Sequence, residues 1–128
     1  MSGVTPDWQA VFAATRHENV DALIALEEPV LGVHANTIAE LAGKDRLPTL
    51  FPPSRAAAGA LLSYGTSQVE AIRRMAALTA RVLKGAQPGE LPLETVQRYE
   101  LVVNLRTARE IGIAFPAEVL QRADRVIQ

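Results

Sequence analysis

Cysteine is absent from this 128-residue chain. That excludes disulfides and thiolate metal sites, and it leaves the redox compartment open, because a chain without thiols suits either one. Aromatic residues make up only 5% of the sequence. Histidine occurs twice, as His17 near an expected helix end and His34 near an expected helix start, and neither stands in a motif that would make it a base or a ligand. Neither sign of charge is in excess: 13 Lys and Arg against 14 Asp and Glu leave a formal charge of −1. Without a basic stripe, nucleic acid is not an expected partner. No apolar run approaches the length that spans a bilayer, and Met1 to Trp8 lack the basic-then-apolar order of an export signal. The P-loop, Gly-x-Gly-x-x-Gly, Gly-x-Ser-x-Gly and His-Glu-x-x-His are missing too. The expectation is a protein that is not an enzyme, with no catalytic residue, no cofactor and no metal.

What is present is core material: 48% of the residues are hydrophobic, enough for one domain of ordinary size. The order of elements points to α/β, with a three-layer parallel sheet and helices on both faces. Pro6 to His17 reads as a helix, with Thr5 as N-cap and Trp8, Val11, Phe12 and Thr15 at helical spacing. Val20 to Leu26 reads as a strand buried on both faces, ended by the loop Glu27-Glu28-Pro29. A helix over about 33–42 follows, stopped by Gly43. Leu47 to Phe51 is a strand ended by Pro52-Pro53, Ser54 to Ala58 is a loop or a single helical turn, and Ala60 to Tyr64 is the third strand. Ser67 and Glu70 fit a capping box opening a helix that runs to Lys84, with Val69, Ile72, Met75, Ala76, Thr79, Val82 and Leu83 on one broad apolar face. Ala86 to Pro92 is the clearest connector. Glu100 to Asn104 is a β-branched strand, Asn104 caps a helix to Ile111, and Gly112 ends it. A last helix from Pro116 is expected to turn Val119, Leu120, Ala123, Val126 and Ile127 inward.

In α/β sheets ligands bind outside the carboxyl ends of the strands, and that rule selects the candidate ligand-binding residues Glu28, Pro29, Phe51, Ser63, Tyr64 and Gly65. Glu27 and Glu28 follow a strand, where a carboxylate can pair with the ammonium group of an amino-acid-like solute; two solvated charges are the plainer alternative. Phe51 and Tyr64 end two further strands, where an aromatic ring encloses a planar or apolar ligand or simply packs in the core. Ser63 and Gly65 flank Tyr64 in a small polar turn leading to a helix start, which attracts anions.

Several phrases resemble one family. Val20-Asp21-Ala22-Leu23-Ile24 before an acidic-Pro loop, Ile38-Ala39-Glu40-Leu41-Ala42, Arg46-Leu47-Pro48, Leu62-Ser63-Tyr64-Gly65, Val82-Leu83-Lys84-Gly85-Ala86 and Arg122-Ala123-Asp124-Arg125-Val126-Ile127 look like the C-terminal part of ABC-transporter substrate-binding proteins with a type I periplasmic-binding fold. The resemblance implies a small-molecule solute, aromatic amino acids among the proposed ligands, captured between two α/β lobes and delivered to an ABC permease. It also implies a periplasmic or otherwise extracytoplasmic full-length parent. On this plan residues 1–128 are a partial substrate-binding domain, with 1–58 in the C-terminal lobe, 59–91 a crossover strand, helix and hinge, and 92–128 a return segment. The helix 67–84 would then lack the lobe it packs on, so self-association through it is expected. The alternative is a stand-alone α/β interaction domain that has lost solute binding.

Overall fold

Helix α1 (Trp8–His17) begins where Asp7 turns its carboxylate back to accept the Ala10 N–H at 3.1 Å, the local bond that lets a helix start in water. The computed structural model describes residues 6–128, so the expected cap Thr5 lies outside the described residues. Strand β1 is only Leu23–Ile24. The expected run from Val20 to Leu26 is shorter because it lies at the sheet edge, and Val20, Ile24 and Leu26 are exposed rather than covered on both faces.

Helix α2 (Pro29–Val33) takes up part of what reads as a loop, because proline at the first helical position has the right φ and no N–H to lose. Helix α3 (Ala35–Lys44) follows at once and turns Ala35, Ile38, Leu41 and Ala42 inward. Strand β2 (Thr49–Phe51) leads into a 3₁₀ stretch, Pro53–Ala58, closed by Gly59 in the left-handed region. Strand β3 (Leu62–Thr66) runs two residues further than the sequence suggests, because its ladder with a later strand continues to Thr66.

Helix α4 (Gln68–Leu83) has the expected N-cap, Ser67, whose Oγ accepts the Glu70 N–H at 3.5 Å. The reciprocal half of the capping box is not made: the Glu70 carboxylate holds Arg74 at 2.9 Å, while the Ser67 N–H goes to the Arg98 carbonyl. Strand β4 (Tyr99–Asn104) and helix α5 (Leu105–Ile111) meet at Asn104, whose side chain accepts the Thr107 N–H, and Gly112 closes the helix at φ +78°. Helix α6 is only Ala117–Arg122, and the expected last helix stops there. Arg125–Ile127 form a strand, β5, instead. The switch is fixed at Asp124, whose N–H donates to the Leu101 carbonyl and whose carboxylate accepts the Leu101 N–H.

The five strands form one sheet in chain order, β1-β2-β3-β4-β5. All neighbours are parallel except β3 and β4, which are antiparallel. The fold is therefore α/β with a mostly parallel sheet, the class the sequence points to, and the antiparallel β3–β4 pair is its departure from a parallel order. The reason lies in α4: a helix crossing back over the sheet would return a parallel strand, whereas this segment leaves and re-enters at the same end. The main core joins α1, α3 and the sheet through Phe12, Ile38, Ala42 and Phe51, and a second cluster joins α5 to Leu61 through Ala108 and Ile111. Among the described residues of α4 none is buried.

Candidate functional site: a cleft at the strand ends

Because β1, β2 and β3 are parallel, their carboxyl ends lie side by side. They enclose a cleft of about 320 Å³ lined by Ile24 to Glu27, Leu50 to Pro53, and Tyr64 to Thr66, a volume at the lower end of the range for small-molecule sites. Phe51 contributes to the lining at the end of β2, but its side chain, in register with Ser63, turns to the other face of the sheet and into the main core. Tyr64 and Gly65 form the opposite wall, and Gly65 is dictated by crowding: a β-carbon there would sit 3.0 Å from Pro53 Cδ. So three of the candidate residues, Phe51, Tyr64 and Gly65, share the cleft.

The other three lie elsewhere. Ser63 is 2% exposed and pairs in register with Phe51 and Val102, on the face of β3 opposite to Tyr64. Glu28 lines a neighbouring crevice with Arg55, of about 10 Å³, barely the room one water needs. Pro29 opens α2. The carboxylate that does line the cleft is Glu27, and it is held in place: Ser54 Oγ lies 3.0 and 3.1 Å from its two oxygens. Which of two adjacent glutamates faces the site depends on where β1 stops, and the sequence overstates that strand.

A second aromatic, Tyr99, stacks on Tyr64 with ring centroids 5.6 Å apart and planes 18° from parallel. Both rings are about half exposed. Tyr99 stands opposite Thr66 and Tyr64 opposite Leu101, so the two tyrosines are diagonal neighbours on one face of the antiparallel pair. That pairing is invisible until the direction of β4 is known. The arrangement offers what a small organic cation with a planar or apolar part needs: an oriented carboxylate, apolar side chains of Ile24 and Leu50 on the same face as Tyr64, and a flat aromatic wall.

Helix α4 springs from the rim of this cleft. Its first half is braced by Arg74, which reaches Glu70, Glu94 at 3.6 Å and the Thr95 carbonyl at 3.4 Å, so the last part of the connector runs beside the base of the helix. Val69, Ile72, Met75 and Leu83 stay exposed, Leu83 at 82%.

No curated protein is similar enough to count as a relative. Among solved structures, a conserved domain protein from Vibrio cholerae is 26% identical with a TM-score of 0.84, over 95% of this chain and 41% of that one. An ABC domain in complex with L-Trp from Streptococcus pneumonia is 25% identical with a TM-score of 0.80, over 93% of this chain and 41% of that one. The ligand-free, open form of a substrate-binding protein with adhesive properties from Clostridium difficile is alike in fold alone, at 13% identity, a TM-score of 0.69, and 98% and 42% coverage. The chain thus spans about two-fifths of the length of these structures. The family model described as ABC transporter substrate binding protein matches residues 5–127. A match over nearly the whole chain, on a mostly parallel sheet, means that the chain belongs to the ABC transporter substrate-binding protein family.

Proposed function

We propose that this chain supplies one wall of a solute cleft, as the C-terminal part of an extracytoplasmic substrate-binding protein that hands an amino-acid-like solute to an ABC permease. The observation that carries the reading is Glu27, locked by Ser54 at the rim of a cleft with Phe51 and Tyr64. A fixed carboxylate binds an ammonium group without first losing side-chain freedom, and the Tyr64–Tyr99 stack suits an aromatic or other planar side chain. The L-Trp named for the Streptococcus structure has both features. In this family the protein captures and delivers; the chemistry of uptake belongs to the transporter.

The experiment is a thermal-midpoint titration of the chain with L-tryptophan and a panel of other amino acids. Binding to the folded state alone raises the midpoint progressively with ligand concentration, and Glu27→Gln is expected to weaken the affinity for L-tryptophan read from that shift by about tenfold, the scale of one charge-assisted bond. A midpoint unmoved by every solute would sink this reading. It would favour the alternative of a stand-alone interaction domain, to which the bare apolar face of α4 independently points.

A further inference from the structure

At the end of the sheet away from the cleft, a groove of about 380 Å³ lies between α3 and α5. Strand direction places it there: β4 runs antiparallel to β3 and so ends, at Asn104, opposite the cleft. The floor is made by Ala39, Ala57, Ala58 and Gly59, and no side chain among these extends past its β-carbon. Gly59 cannot easily be anything else, since its φ is +105°. The volume falls within the range of small-molecule sites.

Three polar groups at this groove are unspent. Asn104 is 5% exposed, and its Oδ1 accepts the Thr107 N–H at 3.1 Å, so its Nδ2 carries the donors. They have no partner among the described residues, yet they are not sealed in: the buried side-chain polar atom left without a partner there is Trp8 Nε1. Asn104 lines the groove. Arg106 and Glu110, one turn apart on α5, also line it. No ion pair joins them among the described residues, although Glu40–Lys44 and Glu70–Arg74 close at the same spacing at 2.7 and 2.9 Å. The order explains the difference, since the acid-first arrangement is the favourable one on a helix. Across the groove Glu40 is already committed: the Lys44 hydrogen bond and charge hold its carboxyl below the usual value.

We propose that this groove is a second small-molecule site, separate from the cleft, that takes a compact zwitterion. The carboxylate of the ligand lies against Arg106 and Asn104 Nδ2, and its ammonium group lies against Glu110. The inference stands apart from the cleft reading, because none of its residues lines the cleft.

The test is a nuclear magnetic resonance titration of the isotope-labelled chain with β-alanine, with acetate and methylammonium as single-charge controls. The reporters are the side-chain amide of Asn104 and the backbone amides of Gly59 and Thr107. Saturable shifts with β-alanine are expected, weakened about tenfold or more in Arg106→Gln, because charge-assisted bonds dominate such recognition. Glu110→Gln should erase the preference for β-alanine over acetate. Both side chains are exposed, so the variants are expected to fold as the parent does, and unchanged amide dispersion checks this. Absence of saturable shifts overturns the site, as do shifts that survive Arg106→Gln, shifts confined to Tyr64 and Gly65, or an equal response to acetate.

Discussion

Three glycines show how one residue type answers to different constraints. Gly59 has φ +105°, Gly65 has Pro53 Cδ 3.0 Å from where a β-carbon would be, and Gly43, inside α3, meets nothing within 4 Å. Alanine at 59 pays for the left-handed conformation, on the order of 1–2 kcal/mol, whereas alanine at 43, in the last turn of α3, gains up to about 0.5–1 kcal/mol by removing a glycine from helical backbone. Urea unfolding should therefore move the midpoint down for Gly59→Ala and up for Gly43→Ala; the reverse order would contradict the backbone described. The residue scale is also where the sequence was most legible. Ser67 and Asn104 stand out as caps because capping is a bond between residues three apart, and Gly112 stands out as a stop for the same local reason. From sequence Glu28 is chosen over Glu27, because the contact that favours Glu27 comes from the Ser54 hydroxyl, 27 residues away in the chain.

Among the elements, α4 differs in kind from α3. Ile38 on α3 is 2% exposed and sits in the main core, whereas Ile72 on α4 is 57% exposed. Ile38→Ala should cost about 2–5 kcal/mol through lost burial and a cavity, while Ile72→Asp should fall within about 0.5 kcal/mol, as surface changes do. Chemical denaturation of the two variants compares them directly, and a severe loss for Ile72→Asp would mean that α4 packs on its own sheet. The apolar period of α4 was plain in the sequence, but period alone does not say what covers it. The elements that escaped were those defined by distant partners. Arg125–Ile127 is a strand only because β4 lies beside it, and residues 117–127 carry apolar positions that serve a helix pattern equally well. The antiparallel turn of β4 escaped for the same reason, since direction is set by where α4 travels and no residue of β4 records it.

For the whole molecule, an unburied amphipathic helix on a small domain is a source of association, because contiguous apolar surface of this kind is uncommon on monomers. We expect sedimentation equilibrium to show mass rising with concentration for the parent chain and a constant monomer mass for Ile72→Asp. A parent that remains monomeric on concentration would mean that the exposed face is tolerated as it stands.

The base of that helical excursion is narrow. Thr66 faces Tyr99 across the ladder, and the Ser67 N–H is bonded to the Arg98 carbonyl at 3.0 Å, so the chain departs from the sheet and rejoins it through a single clasp. Seen as wiring, everything between the two clasped residues is a detachable cartridge, and β3 and β4 are already the two arms of a hairpin. Excising residues 68–97 and closing the gap with a two-residue Asn-Gly turn, the connection that suits a twisted antiparallel pair, should leave all five strands in register. Such a shortened chain, if its amide spectrum keeps the ladder from Leu62 to Thr66, would also offer a port into which an unrelated domain can be spliced without disturbing the sheet that receives it.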